Sequence, residues 1–150
     1  MTPLALTVNG RRREVAAASD AVLLDVLRGG LGPTGAQDAC RRGECGARIV
    51  LLGGRAALSC VTLAALADAP VETVEGLAEE AADFRAAMAD PGGVECGDCT
   101  SGVVVRAVSL LHAGLPRDDC AVDGVLAGKL SRYTGYRAIL AALRQAETAP

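Results

Sequence analysis

The residue pattern changes once along the chain, near Gly76, and this change limits the fold more than any other feature. Before it, short apolar stretches alternate with glycine turns. "LALTV" (4–8) runs into Asn9-Gly10, a strong hairpin signal, and residues 11–15 return as a second strand carrying Arg11, Arg12 and Arg13 as a solvated basic run. "RIVLL" (48–52), Gly53-Gly54 and "RAALS" (55–59) spell another hairpin, and "VETV" (71–74) a last short strand. Between the hairpins, Asp20 is placed to cap a helix from about Ala21 to Arg28, with Leu23, Leu24 and Leu27 on one face and Gly29-Gly30 as its stop. A mixed sheet crossed by one helix is the packing these elements imply.

After Gly76 the pattern is helical. "AEEAADFRAAMAD" is stopped by "PGG", Thr100 can cap a helix to about Ala113 with Gly114 behind it, and "DDCAVDGVLA" and "GYRAILAALRQAE" supply two more helices. Four helices on short loops suggest a small bundle. The expected class is therefore α+β, with residues 1–76 and 77–150 as two units. Units this small build thin cores, so each should lean on the other or on a partner. Apolar residues make up 51% of the chain and aromatics 2%, so aliphatic and alanine side chains must fill those cores.

A formal net charge of -3 argues against nucleic acid or an anionic membrane as partner. No apolar run approaches the roughly 18 residues of a membrane span, and the start lacks a basic region followed by a long apolar stretch. A cytoplasmic location is expected. Six cysteines in a reducing compartment point to metal binding more than to disulfides. Lys129, the single lysine, carries no functional assignment.

The cysteines fall in two sets. In "QDACRRGECGAR" (37–48), Cys40 and Cys45 start the C-x₄-C-x₂-C spacing of a plant-type [2Fe–2S] loop, but Arg48 stands where the third cysteine belongs; Cys60 closes the following hairpin. Such clusters need soft, anionic sulfur, whereas arginine is always cationic and has no lone pair to donate. Three thiolates could hold a cluster only with an unusual fourth ligand. The favoured reading is a loop shaped by glycines and backbone hydrogen bonds, with free thiols inside. In the second set, Cys96 and Cys99 of "ECGDCTSG" (95–102) form a lone CxxC opening a helix: a redox pair, half a zinc site, or neither. A thioredoxin-like reading would need a preceding strand that this helical half does not offer. Zinc at Cys40, Cys45 and Cys60 with a fourth donor is chemically feasible, but the spacing does not call for it.

Other signals are weaker. Gly30, Gly32 and Gly35 spell G-x-G-x-x-G, but after a helix and around Pro33, which argues against a dinucleotide site. His112, the lone histidine, is read as a surface or packing residue, and no hydrolytic triad can be assembled around it. Cys120 reads as a buried apolar residue.

Taken together, "LLDVLRGGLGPTGAQDACRRGECGA", "IVLLGG", "LSC", "VETVEGL", "CGDCTSG" and "LSRYTGY" resemble, in order and spacing over essentially the whole chain, the small iron–sulfur subunit of the molybdenum hydroxylases, the xanthine dehydrogenase, aldehyde oxidase and carbon monoxide dehydrogenase family. The resemblance implies an N-terminal β-grasp, ferredoxin-like domain (1–76) with one [2Fe–2S] cluster and a C-terminal four-helix domain (77–150) with a second. It implies a molybdopterin-type large subunit and a flavin-type medium subunit as partners, with electrons passing between them through both clusters. It also implies the ligand positions: Cys40, Cys45, Arg48 and Cys60 for the first cluster, and Cys96, Cys99, Ser131 and Tyr133 for the second. Five of those eight positions are cysteine. Glu95, Asp98 and Ser101 depart from the family's usual residues, and the two acids would disfavour an anionic cluster. Ser131 and Tyr133, as neutral hydroxyls, could hydrogen-bond across the second site.

The expectation is a degenerate small subunit with no cofactor of its own, serving as a scaffold between larger subunits whose complex could be turned to non-redox chemistry. The rivals are an electron carrier with one [2Fe–2S] cluster at Cys40, Cys45 and Cys60, and a zinc or thiol-redox module.

Overall fold

A computed structural model describes residues 1–89, 92–118, 124 and 126–148. Strands β1 (Thr2–Val8) and β2 (Arg11–Ala17) form an antiparallel hairpin. Its turn, Asn9-Gly10, has positive φ at both residues, as a tight two-residue loop between right-twisted strands requires. Strands β3 (Ile49–Leu52) and β4 (Arg55–Leu58) form the second hairpin, around Gly53-Gly54. The short β5 (Val71–Glu72) lies between the hairpins, parallel to β1 and antiparallel to β3, giving the mixed order β2-β1-β5-β3-β4.

The first helix departs from expectation at both ends. Helix α1 starts at Leu23 (Leu23–Asp25) and widens into a π-helical turn, Val26–Leu31, closed by Gly32 at φ 97°. Asp20 lies in the turn before it and caps nothing; the lead-in residue is Val22, which bridges to Leu63 instead. Gly29 and Gly30 do not stop the helix. They lie within the widened turn, where a Cβ on Gly30 would come within 2.5 Å of Val15 Cγ2 on β2. Close packing on the sheet thus uses Gly30, one of the two glycines that propensity alone reads as a terminus, whereas a Cβ on Gly29 would meet nothing within 4 Å.

Among the described residues, the further α-helices are α2 (Ala82–Ala89), α3 (Thr100–Ala113) and α4 (Arg137–Glu147). Cys99 occupies the N-cap of α3 and Thr100 is its first residue, one position on from the expected cap. The segment expected to form a further helix, with Cys120, lies mostly outside the described residues. Among those residues, no helix is long and apolar enough to cross a membrane.

Alternation along β3 explains how the halves combine. Val50 points to one face of the sheet, into a core with Leu6, Val8, Leu24, Leu27 and Val71. Ile49 and Leu51 point to the other, into a core with Leu77, Phe84, Val104, Ile139 and Leu143. One strand therefore serves two cores, and the helical half covers a sheet face that would otherwise expose aliphatic side chains.

Candidate iron–sulfur sites

The 37–48 loop is anchored from α1. Arg28 Nη1 donates to the carbonyl oxygens of Thr34 (2.6 Å) and Ala36 (2.8 Å). Arg41, at φ 55°, pairs with Asp38 at 2.7 Å and with Asp25 on α1 at 2.9 Å.

Inside the loop lies Arg48, fully buried. Its Nε donates to Gln37 O at 2.9 Å, its Nη2 to Asp38 Oδ1 at 2.6 Å, and its Nη1 to Cys40 Sγ at 3.8 Å. Its carbonyl accepts from both the backbone N–H and the hydroxyl of Ser59, next to the buried Cys60. Arg41, with Arg48 behind it, holds the Asp38 carboxyl below its ordinary pKa. The backbone N–H of Arg42, 3.4 Å from Cys40 Sγ, and those of neighbouring loop residues bring the Cys40 thiol down to about 6.

At the second set, Cys99 Sγ lies 3.3 Å from Ser131 Oγ, which in turn lies 2.6 Å from Thr134 Oγ1. The Ser131 N–H donates to the Tyr136 hydroxyl (2.9 Å), which donates to Lys129 O (2.7 Å). Ser131 thus bonds within the site as a hydroxyl, whereas Tyr133 is 68% exposed at the edge of the site. Glu95, Cys96 and Asp98 are exposed at the rim, and the Ser101 hydroxyl is buried without a hydrogen-bond partner.

A cavity of about 390 Å³ joins the sets: Cys45 lines it together with Cys96, Cys99, Ser131 and Tyr133, whereas Cys40 and Cys60 do not. Beside it runs Lys129, 3% exposed, whose ammonium donates to Gly46 O. The side chain occupies a slot made by two glycines. A Cβ on Gly102 would meet Lys129 Nζ at 2.2 Å, and one on Gly46 would meet Lys129 Cδ at 2.6 Å. Burial lowers the Lys129 pKa to about 7, against a smaller opposing pull from Cys99 and Cys45. Leu130 N–H adds a bond to Cys45 O at 3.0 Å.

These donor sets do not fit a four-thiolate [2Fe–2S] cluster. The first offers three cysteines and a buried guanidinium, and the second offers Cys96 and Cys99 with a hydrogen-bonded serine and a largely exposed tyrosine. Among the described residues, no three cysteine, histidine or acidic side chains converge closely enough to share a metal ion. His112 lies in the last turn of α3, half exposed against Glu80, and Gly35 packs against Val74 and Glu75; both are structural. Sequence reasoning missed Asp38 and Gln37 as partners of Arg48, and missed Lys129. For the lysine a signal existed: the only one in the chain stands two residues before Ser131.

Comparison with known proteins gives this geometry its context. The [2Fe-2S] binding domain family matches residues 73–144, the part carrying the second set. The chain is 38% identical to a subunit of a probable xanthine dehydrogenase of Bacillus subtilis, over 90% of this chain and 79% of that one. It is 35% identical to the nicotinate dehydrogenase small FeS subunit of Eubacterium barkeri, over 94% and 92%. The structure is similar to quinoline 2-oxidoreductase from Pseudomonas putida 86, with a TM-score of 0.86 and 33% identity over 95% of this chain and 90% of that one. On this sequence and structural likeness, the chain belongs to the family of small iron–sulfur subunits of the molybdenum hydroxylases.

Proposed function

We propose that this chain is a non-catalytic small subunit of a xanthine dehydrogenase-like, cytoplasmic complex, in which it joins a flavin-type to a molybdopterin-type subunit as a scaffold and holds no iron–sulfur cluster of its own. In this reading residues 1–76 form a β-grasp unit and residues 77–150 a four-helix unit. The observation that carries it is Arg48. At the third ligand position of the first set, a buried guanidinium bonded to Gln37 O, Asp38 and Cys40 Sγ takes the place of a thiolate. A group with five donors and no lone pair repels iron rather than binding it. The Cys99–Ser131–Thr134 contacts support the same reading at the second set.

A second reading, an electron-transfer subunit with one [2Fe–2S] cluster on Cys40, Cys45 and Cys60, is supported by the name of a relative, the nicotinate dehydrogenase small FeS subunit, while the family match at residues 73–144 lies outside those cysteines. It requires Arg48 to leave its buried pocket and a fourth donor to replace it.

The scaffold role is tested by co-expressing the tagged chain with its flavin-type and molybdopterin-type partners in iron-replete and iron-restricted cells. Equal recovery of the three subunits in both cultures is the expected result. Failure of the partners to co-purify from replete cells would overturn it, as would a complex that assembles only with iron.

A further inference from the structure

In a [2Fe–2S] loop the cluster is a covalent cross-link: it ties residues distant in the loop to one another and fixes their backbone. The 37–48 loop has an ordered interior of another kind. Arg48 Nε, Nη2 and Nη1 reach Gln37 O, Asp38 Oδ1 and Cys40 Sγ, three acceptors within four consecutive residues, from the far end of the loop. Through its carbonyl the same residue ties to Ser59, beside Cys60. The loop is thus closed from the third ligand position onto Cys40 and the two residues Gln37 and Asp38 ahead of it. We propose that the Arg48 guanidinium acts as the loop's internal cation and takes over the cross-linking role of a cluster, so that the ordered state of residues 37–48 depends on Arg48 and Asp38 rather than on iron.

The chemistry suits the task. A guanidinium is permanently charged and presents its N–H groups in a rigid planar fork, so one side chain can bind several acceptors at once with directional bonds. A buried charge needs a counter-charge, and Asp38 supplies it at 2.6 Å. Asp38 is itself held from the solvent side by Arg41, which ties it to Asp25 on α1. The surviving thiol of Cys40 serves as a hydrogen-bond acceptor, a role that uses its sulfur without a metal.

This inference deepens the cluster-free reading and rests on it. The test is amide hydrogen exchange of residues 38–47 in the intact complex, for wild type from iron-replete and iron-restricted cells and for Arg48→Met and Asp38→Asn. Arg48→Met keeps an unbranched apolar stem that reaches about as far as the arginine Nε and removes every side-chain donor. Asp38→Asn changes a half-exposed residue and keeps its shape, so it reports even if Arg48→Met fails to fold. Each variant should speed exchange in the loop by at least about tenfold, the effect of losing a charge-assisted hydrogen bond, while amides of β1 and β3 stay protected. Arg48→Lys, which keeps the charge and loses the fork, should recover part of the protection. Wild type should exchange alike from both cultures. Loop protection unchanged in both variants would overturn the inference and leave the scaffold role standing. Wild-type protection that collapses on iron restriction would overturn the cluster-free reading itself.

Discussion

The Lys129 ammonium donates to the carbonyl oxygen of Gly46, so the only lysine of the chain runs from the helical half into the cysteine loop of the strand half. The bond is buried and lies beside the Leu130–Cys45 backbone bond. Together the two bonds couple the loop of the first cysteine set to the segment of the second.

Burial of this ammonium predicts an unusual pH dependence. With its pKa lowered to about 7, Lys129 is charged in both folded and unfolded states below that pH, and its burial cost is then fully present. Between about 7 and about 10.4 the unfolded chain keeps the proton that the folded chain has lost, so the stability contributed at this site rises with pH over that window. Urea unfolding of wild type and Lys129→Met should give a stability difference that moves in favour of wild type as pH rises. A difference that is flat across the window would contradict the assignment.

The glycine slot predicts intolerance of the smallest side chain. A Cβ on Gly102 would lie 2.2 Å from Lys129 Nζ and 2.4 Å from Gly46 O, and the second of these is backbone that has little room to move. Gly102→Ala should destabilise by about 1–3 kcal/mol, the usual penalty of overpacking, although alanine favours a helix. A thermal midpoint equal to or above wild type would show that the slot is not closed.

The second set makes a differential prediction. Ser131 is buried and bonded to Cys99 and Thr134, so Ser131→Ala should cost about 1 kcal/mol through lost hydrogen bonds. Tyr133 is 68% exposed, and Tyr133→Ala should stay within about 0.5 kcal/mol of wild type. Chemical denaturation of the two variants decides the matter; a larger loss from Tyr133 would mean that its ring packs where the structure shows solvent.

The Cys40 thiol, held near 6 by the surrounding amides, should react as a thiolate at neutral pH. Its alkylation by iodoacetamide, followed by peptide mass spectrometry, should reach half its maximal rate near pH 6. A midpoint at the ordinary thiol value of about 8.5 would contradict the amide cradle.

Much of this was legible in the sequence. The Asn9-Gly10 and Gly53-Gly54 turns marked both hairpins, and the apolar stretches between them gave the strands, because turn chemistry and alternation are local properties. The spacing of Cys40, Cys45 and Arg48 marked the loop in which the structure buries Arg48 against Cys40. What stayed hidden depends on tertiary contact. Gly29-Gly30 read as a helix stop, yet the helix runs through both, and Gly30 serves the approach of α1 to Val15 on β2, a contact between segments distant in sequence. Lys129 carried no assignment in the sequence, because only the fold brings Gly46 and Gly102 to either side of it. Two of the partners of the Arg48 guanidinium are a backbone carbonyl and a carboxylate ten or more residues away, and no spacing rule links a guanidinium to either.

The most direct test of the central claim is the iron and acid-labile sulfide content, with a visible absorbance spectrum, of the complex purified anaerobically with its partners, for wild type and Cys45→Ser. The account predicts the same iron content in both, with no share belonging to this chain and no change in the spectrum. About two irons per small subunit and a bleachable visible band, both lost in Cys45→Ser, would contradict it and restore electron transfer through Cys40, Cys45 and Cys60.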